Sequence, residues 1–116
     1  MIDFKPPLDD IRLVLTEIGD IGGLCDLPDF DHVDVDTIDG VLDELGRFVA
    51  EVIAPTNRIG DEQGCSVADG VVTVPEEFHT AWDQYVASGW GAISQDPEYG
   101  GGGFPGSIQT VLTELL

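Results

Sequence analysis

The side chains that could do chemistry are few and scattered. His32 and His79 lie far apart, with no HExxH or CxxC near either, so neither metal ligation nor base catalysis has the pattern it needs. Both read as surface histidines. Ser66, Ser88, Ser94 and Ser107 lack a nucleophile elbow or any patterned partner. Cys25 and Cys65 have no metal-like spacing and read as free thiols. An acid cluster, Asp29, Asp31, Asp34, Asp36 and Asp39, invites a calcium reading. A calcium loop started at Asp29 would put Val33 at position 5 and Asp34 at position 6, where an acid and a glycine are required. The register fails, and the cluster reads as a solvated loop with a helix cap. Gly101-x-Gly103-x-x-Gly106 matches the dinucleotide fingerprint in form. It has neither the buried strand before it nor the acid about 20 residues after it that a real site requires.

One stretch organises the rest. Ser88 to Gly106 sets Trp90 and Tyr99 around four consecutive glycines, with Pro105 at the expected start of a last helix. Backbone without side chains can take φ > 0 and lie flat against a ligand or another segment. A solvated linker is usually Gly with Ser or charge, so the flanking aromatics favour a close-approach surface over a floppy link.

The charge excludes whole classes of partner. Four basic residues (Lys5, Arg12, Arg47, Arg58) against 23 acidic ones give a formal charge of −19, which repels phosphate backbones and anionic lipid heads. Nucleic acid and membrane surfaces are therefore poor candidates. The acidity fits a salt-rich setting or plain solubility equally. Met1-Ile2-Asp3-Phe4-Lys5 is no secretory signal, and no apolar run approaches a membrane span. Free thiols and the missing signal together point to the cytoplasm. With 116 residues and 42% hydrophobic content, the chain is one globular domain at most.

The elements that must position these residues are mostly helical. Phe4-Lys5-Pro6-Pro7 is an extended arm. Ile11, Val14, Leu15 and Ile18 fall at helical spacing in a short helix from Leu8 to Ile18 that Gly19 stops, and Asp20 to Asp36 reads as loop with room for a helical turn. Asp36-Thr37-Ile38-Asp39 offers a cap for the strongest helix. Its apolar stripe is Ile38, Val41, Leu42, Leu45, Phe48, Val49, Val52 and Ile53, with Pro55 as its end. Gly46 within it suggests a closely approaching neighbour. Residues 57–64 read as a polar turn. Asp69-Gly70 between Val67 and Val71-Val72-Thr73-Val74 predicts a small hairpin. Pro75 opens a further helix whose expected inner face is Phe78, Trp82, Tyr85 and Val86 and whose stop is Gly89. A last helix presents Ile108, Val111, Leu112 and Leu115 and ends in Leu116, a cluster expected to lie exposed and to want missing partners.

In order, these features resemble a known family. Phe4-x-x-Pro7-Leu8-x-Asp10, Ala54-Pro55-Thr56-Asn57-Arg58-x-Gly60-Asp61-x-x-Gly64, Gly70-x-Val72-x-x-Pro75-x-x-Phe78, and Gly89-Trp90 with Asp96-x-Glu98-Tyr99-Gly100-Gly101-x-Gly103-x-Pro105 are similar to the N-terminal helical domain of the acyl-CoA dehydrogenases. The N-terminal arm and first helix resemble the larger subgroup that includes the 3-(methylthio)propanoyl-CoA dehydrogenases. Gly102 departs from the family, which often has Gln or another larger side chain there, and Thr56 stands where Leu is usual.

The resemblance implies a mainly α fold, an orthogonal helical bundle with a small β-hairpin. Residues 1–35 would be arm, short helix and acidic loop, and residues 36–116 a truncated N-terminal helical domain. It implies FAD and an acyl-CoA thioester in the complete enzyme, which is a homo-oligomer, and α,β-dehydrogenation with a glutamate taking the α-proton. It places that glutamate and most flavin contacts in a middle β-domain and a C-terminal helical bundle. This chain would then have no catalytic residue, bind no cofactor or metal alone, and edge the pocket with Tyr99, Gly100, Gly101, Gly103 and Phe104. The alternative is a free-standing helical interaction module that binds a partner chain.

Overall fold

A computed structural model describes residues 3–116, so Met1 and Ile2, at the head of the expected arm, lie outside the described residues. The apolar periods make helices joined by short turns, in the order α1 (Leu8–Leu13), α2 (Ile21–Cys25), α3 (Val35–Phe48), α4 (Ala54–Gln63), strands β1 (Ser66–Ala68) and β2 (Val71–Thr73), α5 (Glu76–Ala87) and α6 (Gly106–Leu115). The mainly helical fold with one antiparallel hairpin is as expected.

α1 widens into a π turn over Val14–Ile18 and stops at Gly19. α3 is capped two residues earlier than expected, at Asp34 instead of Asp36: the Asp34 Oδ1 takes the Thr37 N–H at 2.6 Å. Pro55 does not end this helix. A π turn over Val49–Ile53 shifts the register just before it, so Pro55 falls in the first turn of α4, where its missing N–H costs no bond. The expected polar turn at 57–64 is therefore helical as far as Gln63, and Gly64 (φ 63°) follows it. In the hairpin, Ala68 pairs with Val71 across Asp69 (φ 51°) and Gly70 (φ 76°), the doubly positive turn that matches strand twist.

One core holds the molecule. Ile11, Leu15, Ile21 and Val33 from the N-terminal third meet Ile38, Leu42, Leu45 and Val49 of the long stripe, together with Ile93 and Ile108, Val111, Leu112 and Leu115. The expectation of an exposed last helix is overturned: Ile108 and Leu112 have no exposure, and only Leu116 stands open. They are buried because the α6 stripe joins the same cluster as the stripes of α1 and α3 and Ile21, Val33 and Ile93, so α6 finds its cover inside the chain.

The exposed apolar surface lies elsewhere. α4 has no buried residue and α5 buries only Ala81. Trp82 is 62% exposed and Val86 57%, so the expected inner face of α5 is corrected to Ala81, with Phe78 and Tyr85 half-buried. Val67, Val71 and Val72 of the hairpin are exposed as well. Residues 54–87 thus form an arm standing off the core. The molecule is a slab, 53 × 35 × 18 Å, with a radius of gyration of 16.7 Å where a compact domain of this length has about 13 Å.

Candidate functional site

The glycine run is fixed, not floppy. Asp96 accepts the Glu98 N–H at 2.9 Å and starts a tight turn at Pro97–Tyr99. Gly100 (φ 88°) reverses the chain, which then runs back along 92–96. The N–H groups of Gly101, Gly102, Gly103 and Phe104 donate to the carbonyls of Asp96, Ala92, Gln95 and Ile93 at 2.9–3.0 Å. A β-carbon on Gly101 would overlap the Gln95 carbonyl, and one on Gly102 would lie 2.6 Å from that of Ile93. Close approach is therefore why these positions carry no side chain.

This loop faces the N-terminal half of α3 across an open groove of about 840 Å³. Thr37, Gly40, Val41 and Glu44 form one wall; Gly89, Trp90, Ile93, Gly100, Gly101, Gly102 and Phe104 contribute to the other. Phe48 backs Trp90, with ring centroids 6.1 Å apart. The surface is apolar and aromatic with one charged residue, Glu44. No titratable group here is placed against a second one as a general acid and base pair would be. What the groove can do is receive an uncharged, apolar segment.

Of the five residues expected at a pocket edge, Gly100, Gly101 and Phe104 line the groove. Gly103 lies behind it, against Pro97 and His32. Tyr99 is 84% exposed and does not line the groove. Trp90 and the α3 residues Thr37, Gly40, Val41 and Glu44 were not among the expected edge residues. Gly40 was the available signal, since a glycine on the outer side of a strong helix leaves room beside it.

The acid cluster does not converge. Asp34 caps α3, and Asp39 pairs with Arg12, whose Nε–H donates to Asp39 Oδ1 and Nη2–H to Asp43 Oδ1, each at 2.5 Å. Those two hydrogen bonds, to Asp43 and then Asp39, hold the guanidinium above its already high pKa. The backbone N–H of Thr37 lowers Asp34 below the ordinary carboxylate range. Among the described residues no three potential metal ligands come together, and no helix is long and apolar enough to cross a membrane. Cys25 and Cys65 are free thiols; burial, then the charges of Asp26 and Asp34, push the Cys25 thiol up.

His32 is exposed, as read from the sequence, but its contact with the glycine loop was not foreseen. Its Nε2–H donates to the Gly102 carbonyl at 3.1 Å, and the ring covers Gly103. Nothing local announces a contact between residues 70 positions apart.

No protein-family model matches the chain. The chain is 33% identical over 113 residues, 97% of its length, to the 3-methylmercaptopropionyl-CoA dehydrogenase of Ruegeria pomeroyi, an acyl-CoA dehydrogenase. That similarity runs along nearly the whole chain and agrees with the family resemblance carried by the motifs. The chain spans about a fifth, 19%, of the length of that relative, at its N-terminal part.

Proposed function

We propose that these residues form the N-terminal helical part of an FAD-dependent acyl-CoA dehydrogenase and serve there as a pocket wall and a packing surface, without catalysing the reaction alone. The observation that carries this reading is the 33% identity sustained over 97% of the chain to a protein of that class. In the division proposed, residues 1–35 are the extension and 36–116 the helical domain.

The shape supports the packing role. The chain has an accessible surface of 7677 Å², against about 6,100 Å² for a monomer of its mass. The arm at 54–87 adds exposed apolar side chains to that surface, and its Trp82, Val86, Val67, Val71 and Val72 suit contact with the rest of an enzyme: its middle β-domain, its C-terminal helical bundle or a further subunit of a homo-oligomer.

The groove supports the wall role for the acyl part only. An acyl chain is neutral and matches Val41, Trp90, Ile93 and Phe104. The pyrophosphate of FAD does not fit there, because the single charged lining residue is Glu44 and phosphate recognition needs cations or free N–H groups. Holding the flavin thus falls to other parts of the enzyme. So does the base that takes the α-proton as the β-hydride leaves for the flavin.

The second reading, a helical module that binds a separate partner chain, draws on the same exposed arm. An immunoblot of the source cells with an antibody to this chain distinguishes them. The dehydrogenase reading expects a band several times heavier than 12.4 kDa that carries flavin when purified. A band at 12.4 kDa overturns it in favour of the module.

A further inference from the structure

We infer that His32 is a positioning residue, a clasp that holds the glycine loop at the spacing from α3 that opens the groove. The loop's own hydrogen bonds are local: Gly101, Gly102, Gly103 and Phe104 all donate to residues 92–96. They set the loop's internal shape, while Ile93 and Pro105, buried at its two ends, anchor it to the core but leave the glycines between them without an apolar hold on α3. The polar tie that spans their distance from α3 runs from His32 Nε2–H to the Gly102 carbonyl, across 70 residues of sequence.

The base of the clasp is firm. Val33, the next residue, is buried in the core, and its N–H donates to the Phe30 carbonyl at 3.0 Å. Asp34 then caps α3. His32 is thus bolted to the start of the helix that forms the opposite wall of the groove. Because a carbonyl oxygen only accepts, Nε2 must carry the proton in this contact, in the neutral ring or the imidazolium. Gly103 takes φ 63° under the imidazole, and a β-carbon there would lie 2.8 Å from both Nε2 and Pro97 Cγ. Ring and glycine fit only together. Gly102 belongs to the groove wall, so moving its carbonyl moves the wall. The inference concerns the groove itself and does not depend on what occupies it.

The test is amide hydrogen exchange on the chain at its native length, comparing wild type with His32→Ala and His32→Gln. Gln keeps an N–H donor able to reach a carbonyl; Ala keeps none. In His32→Ala the amides of Gly101, Gly102, Gly103 and Phe104 are expected to exchange about fivefold faster, the factor for one ordinary hydrogen bond. The amides of α6 should stay unchanged, and His32→Gln should recover most of the protection. Unchanged exchange in the loop overturns the clasp. So does a uniform rise across loop and α6 that His32→Gln does not reverse, since that pattern describes a residue that merely supports the fold.

Discussion

Leu8 occupies the space that a β-carbon on Gly46 would need, its Cδ1 lying 2.8 Å from that position. The first helix closes onto the long one where the absent side chain lets it. Gly40, on the same helix, has nothing within 4 Å. Gly40→Ala therefore gains helix propensity freely and should stabilise by about 1 kcal/mol. Gly46→Ala gains the same propensity but must displace Leu8, and overpacking costs about 1–3 kcal/mol. Thermal melts should separate the pair, with Gly40→Ala the more stable; equal shifts would show that α1 does not pack there.

Arg12 ties α1 to α3 through Asp39 and Asp43, with Asp9 at 3.7 Å on its own helix. The carboxylates are more than half exposed, so each pair is discounted for solvent, and Arg12→Gln should cost about 1 kcal/mol in total, or about 4 °C. At a net charge of −19, the change also removes one of only four cations. Added salt screens both the ion pairs and the self-repulsion. The melting temperature of the wild type should therefore rise with sodium chloride while its gap to Arg12→Gln narrows. A gap that widens with salt contradicts this account.

Legibility followed the range of the interaction. The stripe from Ile38 to Val49 repeats at helical spacing, so the core of α3 could be read directly, as could the turn at Asp69-Gly70, which two residues determine. Pro55 misled because its effect depends on a π turn starting six residues earlier, and no local preference reports that. Trp82 and Val86 sit at the right spacing for an inner face, yet periodicity names a stripe without saying what covers it. The same ambiguity ran the other way for Val111, Leu112 and Leu115, which the common core of the chain covers. The glycine loop was legible as a close-approach surface. The opposite wall on α3 and the His32 contact were not, since both are made by chain far away in sequence.

Asp34 gives the fold an acid limit. Its pKa is depressed by the Thr37 N–H, so the ionised form is favoured by folding. The stabilisation is complete above the unfolded carboxylate pKa of about 3.9 and is lost as pH falls through the lower folded value. Asp34→Ala should lower the melting temperature by a constant amount at neutral pH, with the gap shrinking only below about pH 4. Asp34→Asn keeps an accepting oxygen and should retain much of the cap. A gap between wild type and Asp34→Ala that grows on acidification would have the wrong sign.

The two thiols should react in sequence with a disulfide reagent. Cys65 is exposed, while Cys25 is partly covered beside the core and its thiol is pushed up by burial and by Asp26 and Asp34. Thiolate is the attacking species, so Cys25 has both less access and less reactive form. Single variants Cys25→Ser and Cys65→Ser, followed by absorbance at pH 8, should show the Cys25 thiol as the slower one. Similar rates would mean that the 21–34 segment opens readily.

Gly100 and Gly101 are adjacent glycines kept for different reasons, and alanine distinguishes them. Gly100 sits at φ 88° with open space around it, so Gly100→Ala costs only the left-handed penalty of about 1 kcal/mol. Gly101 is outside the left-handed region, but its β-carbon would overlap the Gln95 carbonyl. That neighbour is backbone, tied in turn to the Gly103 N–H, and cannot rotate away as a side chain could. Gly101→Ala must therefore push the loop off 92–96 and break several of its four bonds, at about 3 kcal/mol or more. Trp90 lies in the groove beside this loop, so its fluorescence should shift in Gly101→Ala and stay near wild type in Gly100→Ala. If the two variants melt together with the same emission, the loop is not clamped against Gln95, and the groove wall loses its physical basis.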